Sequence, residues 1–165
     1  MTKGRMTVDS RLERAVLVEF ALSERRERRR DRSSDARILA ETLHRGSRDL
    51  LAHLRRVAFA VPNRFRAVAW LHHSVETNVT FQALAAAGLR KDEVEAIELL
   101  AHFDLTSLEA LTLSRLRVLS QAPGLPGYLA RVVAHAAIED RLDGQRPCGD
   151  TAAALRLLPD PELAR

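Results

Sequence analysis

Apolar residues recur every three to four positions along most of this chain, and polar or Gly/Pro breaks separate the runs. From Asp9 the positions Leu12, Ala15, Val16, Phe20 and Leu22 fit an amphipathic helix behind an Asp-Ser cap. It gives way to a polar run from Arg25 to Arg32, expected to be the most exposed part of the chain. Ser33-Ser34-Asp35 reads as a new N-cap, followed by a helix through Ile38, Leu39, Thr42 and Leu43 that Gly46 interrupts. Leu50, Leu51, Leu54, Val57 and Ala58 share one face of the next helix, which Pro62-Asn63 breaks. The stretch from Phe65 to about Val75 is apolar nearly all round and is expected to be the buried central helix. Thr80 caps a short helix ending at Gly88, and the segment from Lys91 to His102 turns Val94, Ile97, Leu100 and Ala101 inward. Thr106-Ser107-Leu108-Glu109 resembles a capping box opening a helix to about Gln121. The Pro123–Gly127 stretch reads as a loop, and a last long helix runs from Tyr128 to Asp143. One helical turn is expected between Ala152 and Leu158.

Composition supports the same fold class. Of 165 residues, 25 are Ala and 26 Leu, whereas only seven are Gly and aromatics make up 4%. That balance favours helices over a sandwich or barrel, which needs β-branched and aromatic strands. The reading is an all-α orthogonal bundle of about seven to nine helices. Three regions are expected: an N-terminal helix and Arg-rich linker (1–35), a helical domain (36–146) and a C-terminal tail (147–165). No apolar run is long enough to span a membrane. Glu19 cuts the run Ala15-Val16-Leu17-Val18, so no signal peptide is read and a cytoplasmic location is expected. The lone Cys148 rules out an internal disulfide and a Cys-rich zinc site.

Charge divides unevenly. Residues 1–66 carry 17 Lys and Arg against 9 Asp and Glu, and residues 67–165 carry 9 against 13. A basic half can attract phosphorylated ligands or nucleic acid, although such runs are commonly solvated helix faces.

The candidate chemistry lies in six histidines: His44, His53, His72, His73, His102 and His135. Imidazoles and carboxylates from packed helices can converge on one cation in a bundle core. Periodicity does not select among them. The segment Ala67-Val68-Ala69-Trp70-Leu71-His72-His73-Ser74-Val75-Glu76-Thr77 resembles the Ala-x-Ala-x-Leu-His-Asp-x-x-Glu-Asp-Thr segment of HD-domain metal-dependent phosphohydrolases. The branch it is most similar to is the RelA/SpoT-type guanosine tetraphosphate hydrolases. Upstream, His53-Leu54-Arg55-Arg56-Val57-Ala58 resembles the family's His-x-x-x-Val-Ala. Downstream, Ala136 to Gly144, with Asp140-Arg141-Leu142 at its centre, resembles its Val-Lys-x-Ala-Asp-Arg-Leu-x-Asn. The likeness covers roughly residues 36–146.

That resemblance implies His53, His72, His73 and Asp140 as metal ligands, with Glu76 as the general base. It also implies His44, Arg45 and Arg48 as contacts to a phosphorylated nucleotide. The departures are specific. His73 replaces the family's ligating Asp, and Thr77 replaces the second catalytic carboxylate. Ala137 and Gly144 stand where the family has Lys and Asn. His44-Arg45-Gly46-Ser47 is what remains of its His-x-Gly-Gln element. A His₃Asp set shifts the preferred divalent ion from Mn²⁺ toward Zn²⁺, Ni²⁺ or Fe²⁺. The competing arrangement turns His73 away from a collapsed, metal-free site.

The implied function is a divergent HD-type phosphohydrolase acting on a nucleotide phosphate or pyrophosphate. The alternative is a catalytically inactive HD fold serving as a ligand-sensing or protein-interaction module. A nucleic-acid partner is the third and least favoured reading. Among the other histidines, His135 and Glu139 form an i, i+4 pair, and His102 ends a helix as a dipole partner.

Overall fold

The computed structural model describes residues 32–102, 113–142 and 149–159. Eight α-helices and no strand occur among these residues, so the chain is an all-α bundle as its periodicity predicts. The helices are α1 (32–43), α2 (Arg48–Ala60), α3 (Arg66–Leu71), α4 (Phe81–Ala86), α5 (Lys91–Ala101), α6 (Leu113–Gln121), α7 (Gly124–Leu142) and α8 (Gly149–Leu157). Two 3₁₀ turns, Asn63–Phe65 and Ser74–Thr77, flank α3. The amphipathic stretch from Asp9, nearly all of the Arg25–Arg32 run, the Thr106–Glu109 box and Cys148 lie outside the described residues.

The core forms around α7. Its Leu129, Ala130, Val132, Val133, Ala134, Ala136, Ala137 and Ile138 are all buried, so little of its length meets water. Four of those eight are Ala, which lets α2, α3, α5 and α6 approach closely. Their contributions include Leu54 and Val57 from α2, Val68 and Leu71 from α3, Ile97 and Leu100 from α5, and Leu116 and Leu119 from α6. All five residues from Ala67 to Leu71 are buried, as expected for that segment. No helix among the described residues is long and apolar enough to cross a membrane.

The structure corrects several boundaries. Arg32 is already helical, so α1 starts ahead of the Ser33-Ser34-Asp35 cap. On α5, Ala101 is exposed while Ala96 is buried, and Glu93 is buried too. The Glu93 carboxylate accepts the backbone N–H of Arg90 at 2.8 Å and pairs with its guanidinium, a cap the hydrophobic pattern hides. Where one helical turn is expected between Ala152 and Leu158, α8 spans Gly149–Leu157, packs on α6 and is followed by the buried Leu158.

Two corrections have larger consequences. The segment from Phe65 to Val75 is not one helix. α3 stops at Leu71, His73 adopts φ −100° and ψ 4°, and a 3₁₀ turn follows. Asn78, at φ 62°, then closes that turn in the left-handed region that a short polar side chain tolerates. At the other site, the Pro123–Gly127 stretch is mostly not a loop. α7 begins at Gly124 and carries Pro126 in its first turn, where a missing N–H breaks no helical hydrogen bond.

Gly127 is buried against the end of α6. A Cβ there would run into the Ala122 carbonyl oxygen, which already accepts a hydrogen bond from the Arg131 guanidinium. The neighbouring Tyr128 ring meets Phe65 edge-on at 5.8 Å, fixing the start of α7 against the 3₁₀ turn before α3. Gly127→Ala should therefore destabilise the fold by about 1–3 kcal/mol, the usual cost of overpacking. A thermal unfolding midpoint equal to that of the wild type would contradict this close approach.

Candidate metal centre

The centre is built from α2, the turn after α3, and α7. The break at Leu71 explains how two adjacent histidines face one point. In a continuous α-helix successive side chains diverge by about 100°. Here the backbone leaves the helix between them, and the His72 and His73 ring centroids are 4.4 Å apart. His53 comes across from α2, with its ring 5.4 Å from that of His72 and 5.6 Å from that of His73. One ring nitrogen of each lies within 4.8 Å of the other two, and all three residues are buried.

The hydrogen bonds decide which nitrogen each ring offers. His53 Nδ1 meets Asp140 Oδ2 at 2.6 Å, His72 Nδ1 meets the Ala69 carbonyl at 2.7 Å, and His73 Nδ1 meets Glu76 Oε1 at 2.5 Å. A carbonyl and an ionised carboxylate can only accept, so each Nδ1 must carry the proton. The lone pair of each neutral ring is then on Nε2. Those three Nε2 atoms are buried and have no protein hydrogen-bond partner. Oxygen acceptors behind the imidazoles and bare lone pairs in front are the arrangement of histidine metal ligands with their supporting shell. Three such nitrogens around a tetrahedral ion at about 2.0–2.1 Å sit about 3.4 Å apart, so modest ring rotations would suffice.

Electrostatics keep His53 and His72 neutral. Burial pushes the pKa of His53 from 6.5 down to about 4, against the opposing pull of Asp140. Burial lowers that of His72 well below its ordinary value, and the neighbouring His73 and His53 lower it further. For Asp140, burial raises the pKa, but hydrogen bonds from Arg56 and His53 outweigh it and hold the carboxyl below its usual range. Neutral imidazole is the form that binds a metal ion.

The expected residues divide on this geometry. His53, His72 and His73 converge, so His73 does not turn away. Asp140 joins them from behind: one oxygen accepts the His53 Nδ1–H and the other accepts Arg56 Nε, with a second Arg56 contact at 3.0 Å. It thus orients His53 and lies outside the three-nitrogen group. Glu76 lies in the 3₁₀ turn after α3, and its half-exposed carboxylate accepts from His73 Nδ1. His44 is buried, with an unpartnered Nε2, at the turn after α1. Burial lowers its pKa, and His73 adds to the shift. Arg45 and Arg48 are exposed on that turn and at the start of α2.

His135 shows how a structural histidine differs. Its Nδ1 donates to the Pro159 carbonyl at 3.0 Å and its Nε2 lies 3.3 Å from Glu139, so neither nitrogen is left over. The Ala69 carbonyl, Arg56 and Arg141 were not singled out from the sequence. Arg56 carries a legible signal, lying three residues after His53 on the same face of α2.

The depressed histidines give a definite pH dependence in protein kept free of metal by a chelator. Above about pH 6.5 the rings are neutral whether folded or unfolded, and their full contribution to stability is present. As pH falls below that value the unfolded chain takes up protons that folded His53 accepts only near pH 4. The unfolding midpoint should hold steady above pH 6.5 and fall between there and pH 4. A flat profile across that window would show that these rings are solvated.

Comparison with protein-family models, curated proteins and solved structures finds no match to this chain, so its function is argued from the centre itself.

Proposed function

We propose that the chain binds one divalent transition-metal ion through Nε2 of His53, His72 and His73 and hydrolyses a phosphate or pyrophosphate bond of a nucleotide, as a divergent HD-type phosphohydrolase. The observation that carries the reading is the set of three buried, unpartnered Nε2 atoms with their Nδ1 protons held from behind. Buried acceptors without partners cost about 1–3 kcal/mol each, and an ion would turn that cost into binding energy. Three imidazoles leave a fourth position open, the pattern of catalytic sites, whereas structural sites are closed by four protein ligands. In that position the ion would supply a positive charge that polarises a phosphate oxygen and acidifies a water.

The chain's own groups have separate tasks in this scheme. Asp140 and Glu76 fix the tautomers and aim of His53 and His73, and the Ala69 carbonyl does the same for His72. Glu76 is half-exposed, so its second oxygen is within reach of solvent. It can receive a proton on that side while the first oxygen holds His73. A nitrogen-only donor set favours Zn²⁺, Ni²⁺ or Fe²⁺ over Mg²⁺.

One observation favours a second reading, the ion-binding but non-catalytic sensing or interaction module. The three rings are only 1–4% exposed. Neither of the two described cavities, one on α1–α2 by Trp70 and one by Arg64 and Arg90, is lined by them.

Elemental analysis of protein purified without chelator, followed by phosphate release from a nucleotide panel, separates the two. One equivalent of a borderline metal with phosphate release supports the hydrolase, and metal without release on any nucleotide supports the module. His72→Ala should abolish metal retention and phosphate release together. Asp140→Asn should weaken metal binding about 10–100-fold, the usual effect of removing a carboxylate behind a ligating histidine. His73→Asp, which restores an oxygen ligand, should shift the preference toward Mn²⁺. Protein that takes up no Zn²⁺, Ni²⁺ or Fe²⁺ would overturn both readings.

A further inference from the structure

The larger of the two described cavities has a chemistry of its own. It has a volume of about 550 Å³, lies between α1, α2 and α3, and is lined by Glu41, Leu51, Ala52, Arg55, Arg56 and Trp70. Small-molecule sites usually measure about 300–1,000 Å³, so this one has room for a ligand. Leu51, Ala52 and Trp70 supply apolar surface, and Arg55 and Arg56 supply two guanidinium groups. Glu41 is engaged with Arg37 at 3.5 Å. No carboxylate pairs with Arg55 among the described residues, and its guanidinium lies 5.9 Å from the ring centroid of the exposed Phe59. Apolar surface beside a cation without a counter-charge suits a flat ring that carries a carboxylate or a phosphate.

Arg56 ties this cavity to the metal centre by direct contact. Its side chain is 60% exposed, yet its Nε and Nη2 grip the two oxygens of Asp140, which is only 11% exposed, at 2.5 and 3.0 Å. Asp140 in turn accepts the His53 Nδ1–H at 2.6 Å.

We infer that this cavity binds a small aromatic oxyanion, and that Arg56 passes its occupancy to His53 through Asp140. The ligand site stands on the cavity itself, whereas the linkage rests on the metal-binding reading and adds regulation to it. An oxyanion seated beside Arg56 draws on the guanidinium that Asp140 now holds. The carboxylate then loses part of the fork that aims it, and His53 loses part of its support. Metal affinity falls, and by reciprocity the ion weakens the anion's binding by the same factor. The three histidines do not line the cavity, so the anion acts on the ion without touching it.

Trp70 is the only tryptophan of the chain, so its fluorescence reports on this cavity. The full chain, kept free of metal by a chelator so that no phosphate can bind an ion, is titrated with AMP and with benzoate. Binding is followed by Trp70 emission and by calorimetry. At least one probe should bind saturably and change the emission. AMP alone identifies a nucleotide phosphate, benzoate alone an aromatic carboxylate, and both together the general class. The neutral analogues adenosine and benzamide, and inorganic phosphate, each lack half of the ligand and should bind about tenfold more weakly. Arg55→Gln and Ala52→Phe, both at exposed positions of α2, should weaken the probe by about tenfold and leave Zn²⁺ uptake unchanged. Arg117→Gln, on the exposed face of α6, should match the wild type. Zn²⁺ affinity is then measured with and without saturating probe. It should fall about fivefold in the wild type and stay constant in Arg56→Lys, which keeps the charge without the fork. Absence of binding by both probes, or a neutral analogue or phosphate binding as tightly as the probe, overturns the inference. Binding that leaves the wild-type Zn²⁺ affinity unmoved overturns the linkage. Failure of the wild type to take up Zn²⁺ overturns the metal-binding reading and the linkage with it, and Trp70 emission still decides the ligand site.

Discussion

Three imidazoles in this bundle donate hydrogen bonds from Nδ1 to oxygens that can only accept, and that asymmetry organises the centre. A ring donating from Nδ1 has its lone pair on Nε2, and the three lone pairs then lie together where water is excluded. The arrangement requires neutral rings, and for His53 and His72 burial supplies neutrality by making the charged form expensive. It also requires that the acceptors stay ionised or fixed. Asp140 is kept ionised by Arg56, and the Ala69 carbonyl is fixed by the helix that contains it. Remove the acceptors and the same rings could take either tautomer, with no reason to point their lone pairs inward.

The backbone contribution is a failure of helical continuity. Helix α3 is only six residues long, too short to be stable alone, and its five buried apolar residues hold it by packing. Because it ends at Leu71, His72 keeps a helical geometry while His73 leaves it. Helix α7 supplies the opposite wall. Its run of alanines and valines lets α2 come near enough for His53 to meet Asp140.

Much of the fold was legible because each helix announces its apolar face and most of its breaks. The misread places were those where tertiary contacts override local rules. Pro123 to Gly127 carries every mark of a loop, yet its second proline sits where a helix start tolerates one and its second glycine is required by Ala122. The stretch from Phe65 to Val75 has no helix breaker, so nothing local shows that the helix stops at the histidines. For the site, family resemblance selected His53, His72, His73 and Asp140, and the geometry gathers all four. It could not assign their tasks, because ligand and supporting acceptor differ only in which atom faces which. Glu76 illustrates this: the resemblance implies a general base, and its carboxylate is also the acceptor behind His73.

The hydrogen bond between His53 and Asp140 joins residues 87 positions apart. His72, His73, Ala69 and Glu76 lie within a single short stretch and can find one another early and locally. The pair from α2 and α7 cannot, since the intervening chain must first collapse and the loop-closure entropy must be met before the contact forms. During synthesis from the N-terminus, His53, His72 and His73 are all made long before Asp140. The nascent chain therefore carries its nitrogen donors for some time without the carboxylate that aims one of them. The finished centre is a late product of folding, and any ion held there would bind the completed bundle in preference to its intermediates, drawing α7 into place by mass action.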